Sequence, residues 1–360
     1  MVARISPRID GFNLPADEGE TAVDGLFDKR ITEIEPQQML EDADALLSKT
    51  VELDDRAKLT AGGMSVSASA SAMVTSTGIC TSGIFSSHSV GVQITIDEND
   101  QLTSGWKDET SRSILKDHLK VCDEAVYWAQ VTRDIVLETE QAADFPIIFT
   151  DNAFGSLFST IVPPALNGER IARGESFWTN KQGSNVIEGH LSISDDRTID
   201  GALGSSRRDG EGIATRCHSL IDSGKLESAM WSTRDSAEQV SLGNVEQAYS
   251  TASACRFSHT SPPVTSCGNL LIESSKGTLS RDELIEEIRS GYIVNSVMGA
   301  HTANPTSGDF SVTSSAILKI VDGEICGALK QAGLSGNIPL SLQKGTILGD
   351  EPQQRGSVQI

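Results

Sequence analysis

The side chains of this sequence that could hold a metal or attack a carbonyl are few and scattered. Asp151, His190, His218, His259, His301 and Cys267 are the candidates. No two of these histidines share the short helical spacing that lets two imidazoles meet one zinc ion, and no His-Glu-x-x-His occurs. A Gly-x-Ser-x-Gly nucleophile elbow is absent as well. The six cysteines, Cys80, Cys122, Cys217, Cys255, Cys267 and Cys326, lack Cys-x-x-Cys spacing and read as mostly buried thiols in a reducing compartment. The glycine-rich stretch 201–212 has neither the P-loop lysine nor Gly-x-Gly-x-x-Gly spacing, so it is expected to turn rather than to cradle a phosphate.

Composition narrows the function classes. The chain has 360 residues, 38% of them apolar, enough for two or three domains with cores of their own. A net charge of −21 opposes any broad electrostatic grip on nucleic acid or an anionic membrane, because phosphates are bound by clustered Lys and Arg. No apolar run is long enough to span a bilayer, and the start Met-Val-Ala-Arg-Ile-Ser-Pro lacks a signal-peptide core. The expectation is a soluble, cytoplasmic protein with neither nucleic-acid nor membrane partners.

Periodicity supplies the frame. Residues 1–35, rich in Pro, Gly, Asp and Glu, predict an extended lead-in. From Pro36, Met39, Leu40, Ala43, Leu46, Leu47 and Val51 recur at helical intervals. Between 58 and 106, small and apolar residues alternate as in half-buried strands, Ser65, Ser67, Ser69 and Ser71 lying on the solvent side. A long helix is expected over 110–138, with His118 and Trp128 in structural positions near its apolar stripe. Residues 145–150 read as a buried strand, Thr150 or Asp151 as the cap of the next helix, and Pro163-Pro164 as its end. Short strands follow from 191, with a hairpin turn at 222–224. The segment 235–268 looks loop-like. Ser280-Arg-Asp-Glu283 spells a capping box whose helix Gly291 would stop. The fold class is α+β: a lead-in over 1–35, an α/β middle domain over 36–140 and a larger antiparallel β-rich domain over 145–360.

The last quarter is the most distinctive. Asp322-Gly323 between two apolar runs is a hairpin signal, because both residues tolerate positive φ. Together with Gly299, Gly308-Asp309-Phe-Ser, Asp322-Gly-Glu-Ile, Gly336-Asn337, a terminal Gly356-Ser357 and the upstream Asp209-Gly-Glu-Gly212, it resembles the TldD/PmbA metallopeptidase family, PmbA (TldE) branch, from about residue 35 to the C-terminus. In those motifs the resemblance gives Gly299, Gly308, Asp309, Gly323, Gly336 and Asn337 structural roles. Family members carry a further strand-and-helix segment ahead of this start, which implies either an upstream start or a shortened member.

The resemblance also implies where catalysis would sit. In the catalytic branch the helix after the 145–150 strand carries a His-Glu-x-x-x-His motif, whose histidines hold zinc and whose glutamate activates water. Here those positions read Asp151, Asn152 and Ser156. Asparagine has no carboxylate to act as base, and a serine hydroxyl is a poor zinc ligand. The implied role is a non-catalytic subunit with no catalytic or metal residue of its own. It would be hetero-oligomeric with a TldD-type zinc peptidase subunit that supplies the zinc, and the complex would act on peptides or unfolded polypeptides. Two alternatives are a self-sufficient hydrolase with a rebuilt site and a stand-alone protein-binding regulator.

Overall fold

Pro36 lacks an N–H that a first helical turn would leave unpaired in any case, so it starts α1 (Pro36–Leu53) without cost. In the computed structural model, which describes residues 9–350 except 137 and 139–143, and also 354–355 and 358–359, α1 lies over an antiparallel sheet. Its strands are β1 (Ala57–Val74), β2 (Cys80–Glu98) and β3 (Gln101–Ser111), in that order. Val90, Val92, Ile94 and Ile96 on one face of β2 pack with Leu46 of α1 and with Cys122, Ala125 and Ala129 of α2 (Lys120–Val131). Gly105 admits this contact, because a Cβ there would run into the Ala125 carbonyl.

Beyond His88, where β3 ends, β1 and β2 continue alone as a two-stranded arm down to Val74 and Cys80. The arm folds back onto the rest of the chain. Ile79 at its tip is fully buried, and a Cβ on Gly212 would come within 2.8 Å of its Cδ1. The lead-in threads between arm and body: Thr21 N–H donates to the Arg207 carbonyl, Asp24 N–H to Asp200 Oδ1 at 2.8 Å, and Ser86 N–H to the Leu26 carbonyl.

The remaining chain runs β4 (Ile147–Phe149), α3 (Asp151–Ala165), α4 (Gly168–Ala172), β5 (Leu191–Asp196), β6 (Cys217–Asp222), β7 (Lys225–Leu226) and α5 (Thr233–Ser241). After these come β8 (Ala254–Cys255), β9 (Val264–Thr265), β10 (Leu270–Ser274), α6 (Arg281–Ile288), β11 (Gly291–Met298) and β12 (Asp309–Val321). It closes with β13 (Glu324–Leu329), β14 (Ala332–Asn337), α7 (Ile338–Ser341), β15 (Gln354–Arg355) and β16 (Val358–Gln359). One sheet has the order β15-β16-β10-β5-β6-β7, and the other β13-β12-β11-β4 with β14 also on β12. Helix α3 serves both cores. Leu157, Phe158 and Ile161 pack with Leu191, Ile193, Leu220 and Leu270, while Ala153 packs with Val294 and Ile317. Each fully buried large side chain of α3 contributes on the order of 2 kcal/mol. The architecture is α+β, as the periodicity predicts.

Several elements differ from expectation. The helix predicted over 110–138 begins only at Lys120, because Thr110 and Ser111 pair with Ser89 and His88 in the sheet. His118 therefore precedes the helix, whereas Trp128 is buried within it. The predicted loop 235–268 contains the end of α5, and β4 is half-buried rather than buried. On the arm, Ala68, Ala70 and Ala72 are as exposed as the serines between them. Both Pro163 and Pro164 lie inside the last turn of α3. Arg289 at φ 53°, not Gly291, ends α6; Gly291 instead opens β11, pressed against the Pro146 carbonyl. Pairing is not wholly antiparallel, since β4 runs parallel to β11 and β10 to β16. Of the cysteines only Cys122 and Cys267 are buried; Cys80, Cys217 and Cys326 face solvent. Gly356 and Ser357 lie outside the described residues.

Candidate functional site

The junction of β4 with α3 is built by β11. Thr150, the N-cap residue, donates its N–H to the Val294 carbonyl at 3.0 Å and its hydroxyl to the buried Asn295, at 3.1 Å to the carbonyl and 3.0 Å to Oδ1. Its side chain is thus spent on strand β11 rather than on a helix amide. Asp151 follows in the first helical turn, where the helix dipole favours an anion. Lys107 of β3 reaches it from the neighbouring sheet, with Nζ 3.4 Å from Asp151 Oδ2 and 2.7 Å from Glu124 Oε2 on α2. The Lys107 side chain is 15% exposed and that of Asp151 14%, so the ammonium works in a partly dehydrated setting. One ammonium therefore ties β3, α2 and α3 together. Ser156 Oγ donates to the Asn152 carbonyl one turn back, at 2.8 Å, a bond that satisfies the hydroxyl within the helix.

Zinc would need from this donor set three neutral or anionic ligands free to face it. The Asp151 carboxylate neutralises Lys107, the Ser156 hydroxyl donates to backbone, and Asn152 offers only an amide. The set does not fit. Replacing Lys107 by Met leaves two carboxylates without their cation and is expected to cost about 1–2 kcal/mol, between the values for exposed and buried pairs. Urea unfolding of Lys107→Met, Asp151→Asn and the double variant measures the coupling; additive single effects would show that the bridge contributes nothing.

The other candidates are dispersed. His218 Nε2 lies 2.9 Å from Ser228 Oγ, His301 is exposed in a short 3-10 turn, and Cys267 is in the core. His259 lines a cleft of about 400 Å³ with Leu14, Met73, Val74, Arg234 and Arg256. His190 has the partners of a catalytic triad, Ser274 Oγ at 3.0 Å from Nδ1 and Glu188 Oε2 at 3.2 Å from Nε2. Yet Ser274 Oγ accepts the Lys276 N–H, and the Ser275 and Gly277 N–H groups are given to the His190 and Ser274 carbonyls. The turn keeps no amide for an oxyanion, so the constellation reads as a structural tie. Among the described residues, the carboxylates grouped closely enough for a cation are Glu169, Asp235 and Glu238. Each already has a partner: Arg173 at 2.6 Å, the Thr265 hydroxyl at 2.7 Å and Arg234 at 3.8 Å respectively.

The loops around 201–216 are held by buried polar groups. Asp209 Oδ1 accepts the N–H groups of Glu211 (2.9 Å) and Ile213 (3.0 Å), and Oδ2 that of Ala254 (3.2 Å). Glu211 in turn caps α5, accepting the N–H groups of Thr233 and Arg234 at 2.6 and 3.1 Å. Burial pushes both carboxyl groups above their ordinary pKa values, against the pull of these amides. Asp195, buried beside Arg197, is raised by burial in the same way. The 201–212 stretch is thus a turn, as its spacing predicts.

In the last quarter the motif residues likewise hold backbone. Gly299, Gly308 and Gly323 have φ of 93°, 82° and 81°, and Gly323 forms the hairpin turn with Asp322 at 54°. Asn337 donates to the Ser307 carbonyl and to Asp309 Oδ1, and its Oδ1 caps α7 through Leu340 N–H. A Cβ at Gly336 would come within 2.8 Å of the Phe310 ring. Two features escaped the sequence reading. The cap of α5 was legible, since Ser232-Thr-Arg-Asp235 has the capping spacing and Ser232 Oγ accepts the Asp235 N–H. Lys107 and Glu124 carried no such signal.

Residues 142–360 match the family described as PmbA/TldA metallopeptidase C-terminal domain. The chain is 27% identical over 336 residues to an uncharacterised protein of Methanocaldococcus jannaschii, covering 93% of this chain and 74% of that one. It is 29% identical over 248 residues to a metalloprotease TldD homolog of Buchnera aphidicola, covering 68% of this chain and 48% of the relative. Among solved structures, TldE from Thermococcus kodakarensis superposes with a TM-score of 0.88 at 22% identity, over 100% of this chain and 79% of that one. Among the described residues no helix is long and apolar enough to cross a membrane.

Proposed function

Because this chain belongs to the TldD/PmbA metallopeptidase family, we propose that it is the non-catalytic subunit of a two-component peptidase. Its partner would be a TldD-type subunit that carries the zinc, and the complex would process peptides or unfolded polypeptides in the cytoplasm. The feature that supports this reading is the chemistry at the start of α3, where the resemblance would set Asp151, Asn152 and Ser156 at the positions of the family's metal ligands and base. The first is engaged by Lys107, the last bonds within its own helix, and the middle one cannot take a proton. Likeness to TldE supports the same branch. The proposed division of labour within the chain keeps the lead-in to residue 35, the middle part to 140 and the β-rich part from 145, the last as the portion that shapes the shared chamber.

The test is to purify this chain alone, a His-Glu-x-x-x-His subunit from the same genome alone, and the two co-expressed. Zinc is then measured by mass spectrometry and cleavage with an unfolded casein. This chain alone is expected to hold no stoichiometric zinc and to cut nothing, while the pair co-elutes and cuts. One zinc per chain with cleavage by this chain alone would establish the self-sufficient hydrolase instead. Failure to co-elute would favour the stand-alone regulator.

A further inference from the structure

Residues 59–96, which form most of β1 and nearly all of β2, contain no Asp, Glu, Lys or Arg. His88 is the one side chain of that run whose charge ordinarily changes between pH 5 and 8. It stands where the arm leaves the sheet, since His88 opposite Ser111 is the end pair of β2 with β3. Beyond it the arm is a ribbon of two strands, and among the described residues no strand pairs with the outer side of β1. Such a ribbon is marginal in water, so the arm depends on what holds its tip and its root.

The root is held by residues 112–119, the connector from β3 to α2. Ser86 Oγ donates to the Arg112 carbonyl at 2.7 Å, the Ile114 N–H to Asp28 Oδ2 of the lead-in at 3.2 Å, and the Leu115 N–H to His88 Nδ1 at 3.0 Å. Arg112 extends the hold to the body, its Nη2 donating to the Leu203 carbonyl. A backbone N–H can only donate, so Nδ1 of His88 is the bare nitrogen and the ring proton sits on Nε2. The bond therefore exists only with a neutral ring. A proton on Nδ1 would turn the acceptor into a donor facing another donor, and His88 and Leu115 are only 3% and 8% exposed, so water could not satisfy both.

The charged groups around the ring come from three elements. The connector brings His118, whose ring centroid is 6.5 Å away, and Arg112, whose guanidinium lies over Phe85. Helix α1 brings Asp42, with Oδ1 4.0 Å from His118 Nε2. Burial, and after it His118, hold the His88 ring below its ordinary pKa, while Asp42 pulls the other way. The lead-in brings Asp28, which the hydrogen bond from Arg30 lowers to about 2. Its bond to the Ile114 N–H thus lasts through the range in which His88 takes up a proton, and the Leu115 bond is the one that acid removes.

We propose that His88 is an acid-released latch: neutral, it holds the connector 112–119 to the root of the arm, and protonated on Nδ1 it lets the connector go and frees the arm to move. The closed form binds the proton less readily than the open form. Closure is therefore at full strength above the ordinary value of 6.5 and weakens as the pH falls through it towards the lower value of the closed form. For one proton the opening equilibrium rises by at most about tenfold per pH unit. The latch acts at the arm, apart from the chemistry at the start of α3, so either reading can fail without the other.

The experiment is hydrogen exchange of the full chain between pH 8 and 5, corrected for the intrinsic pH dependence of amide exchange. Opening of the connector and of both arm strands is expected to rise together below about pH 6.5, approaching tenfold per unit. His88→Asn sets an amide oxygen where Nδ1 stands and keeps the bond without a titrating group, so its opening is expected to be the same at pH 8 and pH 5. His118→Gln is expected to keep the pH dependence. The parent protein alone can sink the proposal, through connector protection that does not change with pH or a connector that opens while the arm keeps its protection. A pH dependence that survives His88→Asn, or disappears in His118→Gln, would also overturn it.

Discussion

Gly204→Ala is expected to prevent folding, or to lower stability by about 4–5 kcal/mol, the range reserved for steric conflict with fixed backbone. A Cβ at this position would lie inside the Gly268 carbonyl group and within 2.7 Å of Asn269 Oδ1. Neither can retreat. Asn269 Oδ1 accepts the Gly204 N–H at 2.8 Å, while its Nδ2 donates to the Asp196 carbonyl at 2.6 Å and to Ser205 Oγ at 2.8 Å. Gly268 is itself pinned, its N–H given to Asp195 Oδ1 at 2.7 Å. Gly333→Ala is the control, because nothing lies within 4 Å of its Cβ position and its φ is ordinary for any residue. Guanidinium unfolding of both variants decides the matter; a Gly204→Ala protein within about 1 kcal/mol of the parent would mean that the two loops do not pack as described.

Asp209→Ala ranks next, with an expected cost of about 3–4 kcal/mol, because one buried carboxylate satisfies three backbone amides that would otherwise be stranded. The loss propagates. Freed from Asp209, the Glu211 segment no longer holds its carboxylate at the start of α5, and Gly212 no longer presents its bare face to Ile79 at the arm tip. Asp209→Asn keeps one carbonyl acceptor and should cost about half as much. Hydrogen exchange at 209–215, at the first turn of α5 and at 75–79 should rise together in Asp209→Ala. If the arm tip kept its protection while the other two lost theirs, the coupling of tip to loop would be wrong.

What the sequence made legible is local. The Asp322-Gly323 turn, the Ser280–Glu283 capping box and the Pro36 helix start each lie within a few residues, where backbone preference outweighs the rest of the fold. The start of α2 was misplaced because Thr110 and Ser111 answer to strand partners some twenty residues away. The exposure of Ala68 to Ala72 was hidden for a related reason: alternation says which residues share a face, not whether anything covers it. At the candidate site the family resemblance points to Asp151, Asn152 and Ser156, but the surroundings of Asp151 depend on Lys107 and Glu124, which approach from a separate sheet and helix. No local pattern encodes such a meeting.

The lead-in has a consequence for how the protein is made. Asp24 must find Asp200, and the Thr21 hydroxyl the Thr215 carbonyl, across sequence separations of 176 and 194 residues. At roughly 5–20 residues per second of synthesis, the lead-in waits about ten to forty seconds for its own docking groove to exist. Throughout that interval the uncharged arm is exposed with an open strand edge, so the nascent chain is at its most adhesive before its last two-thirds have been translated.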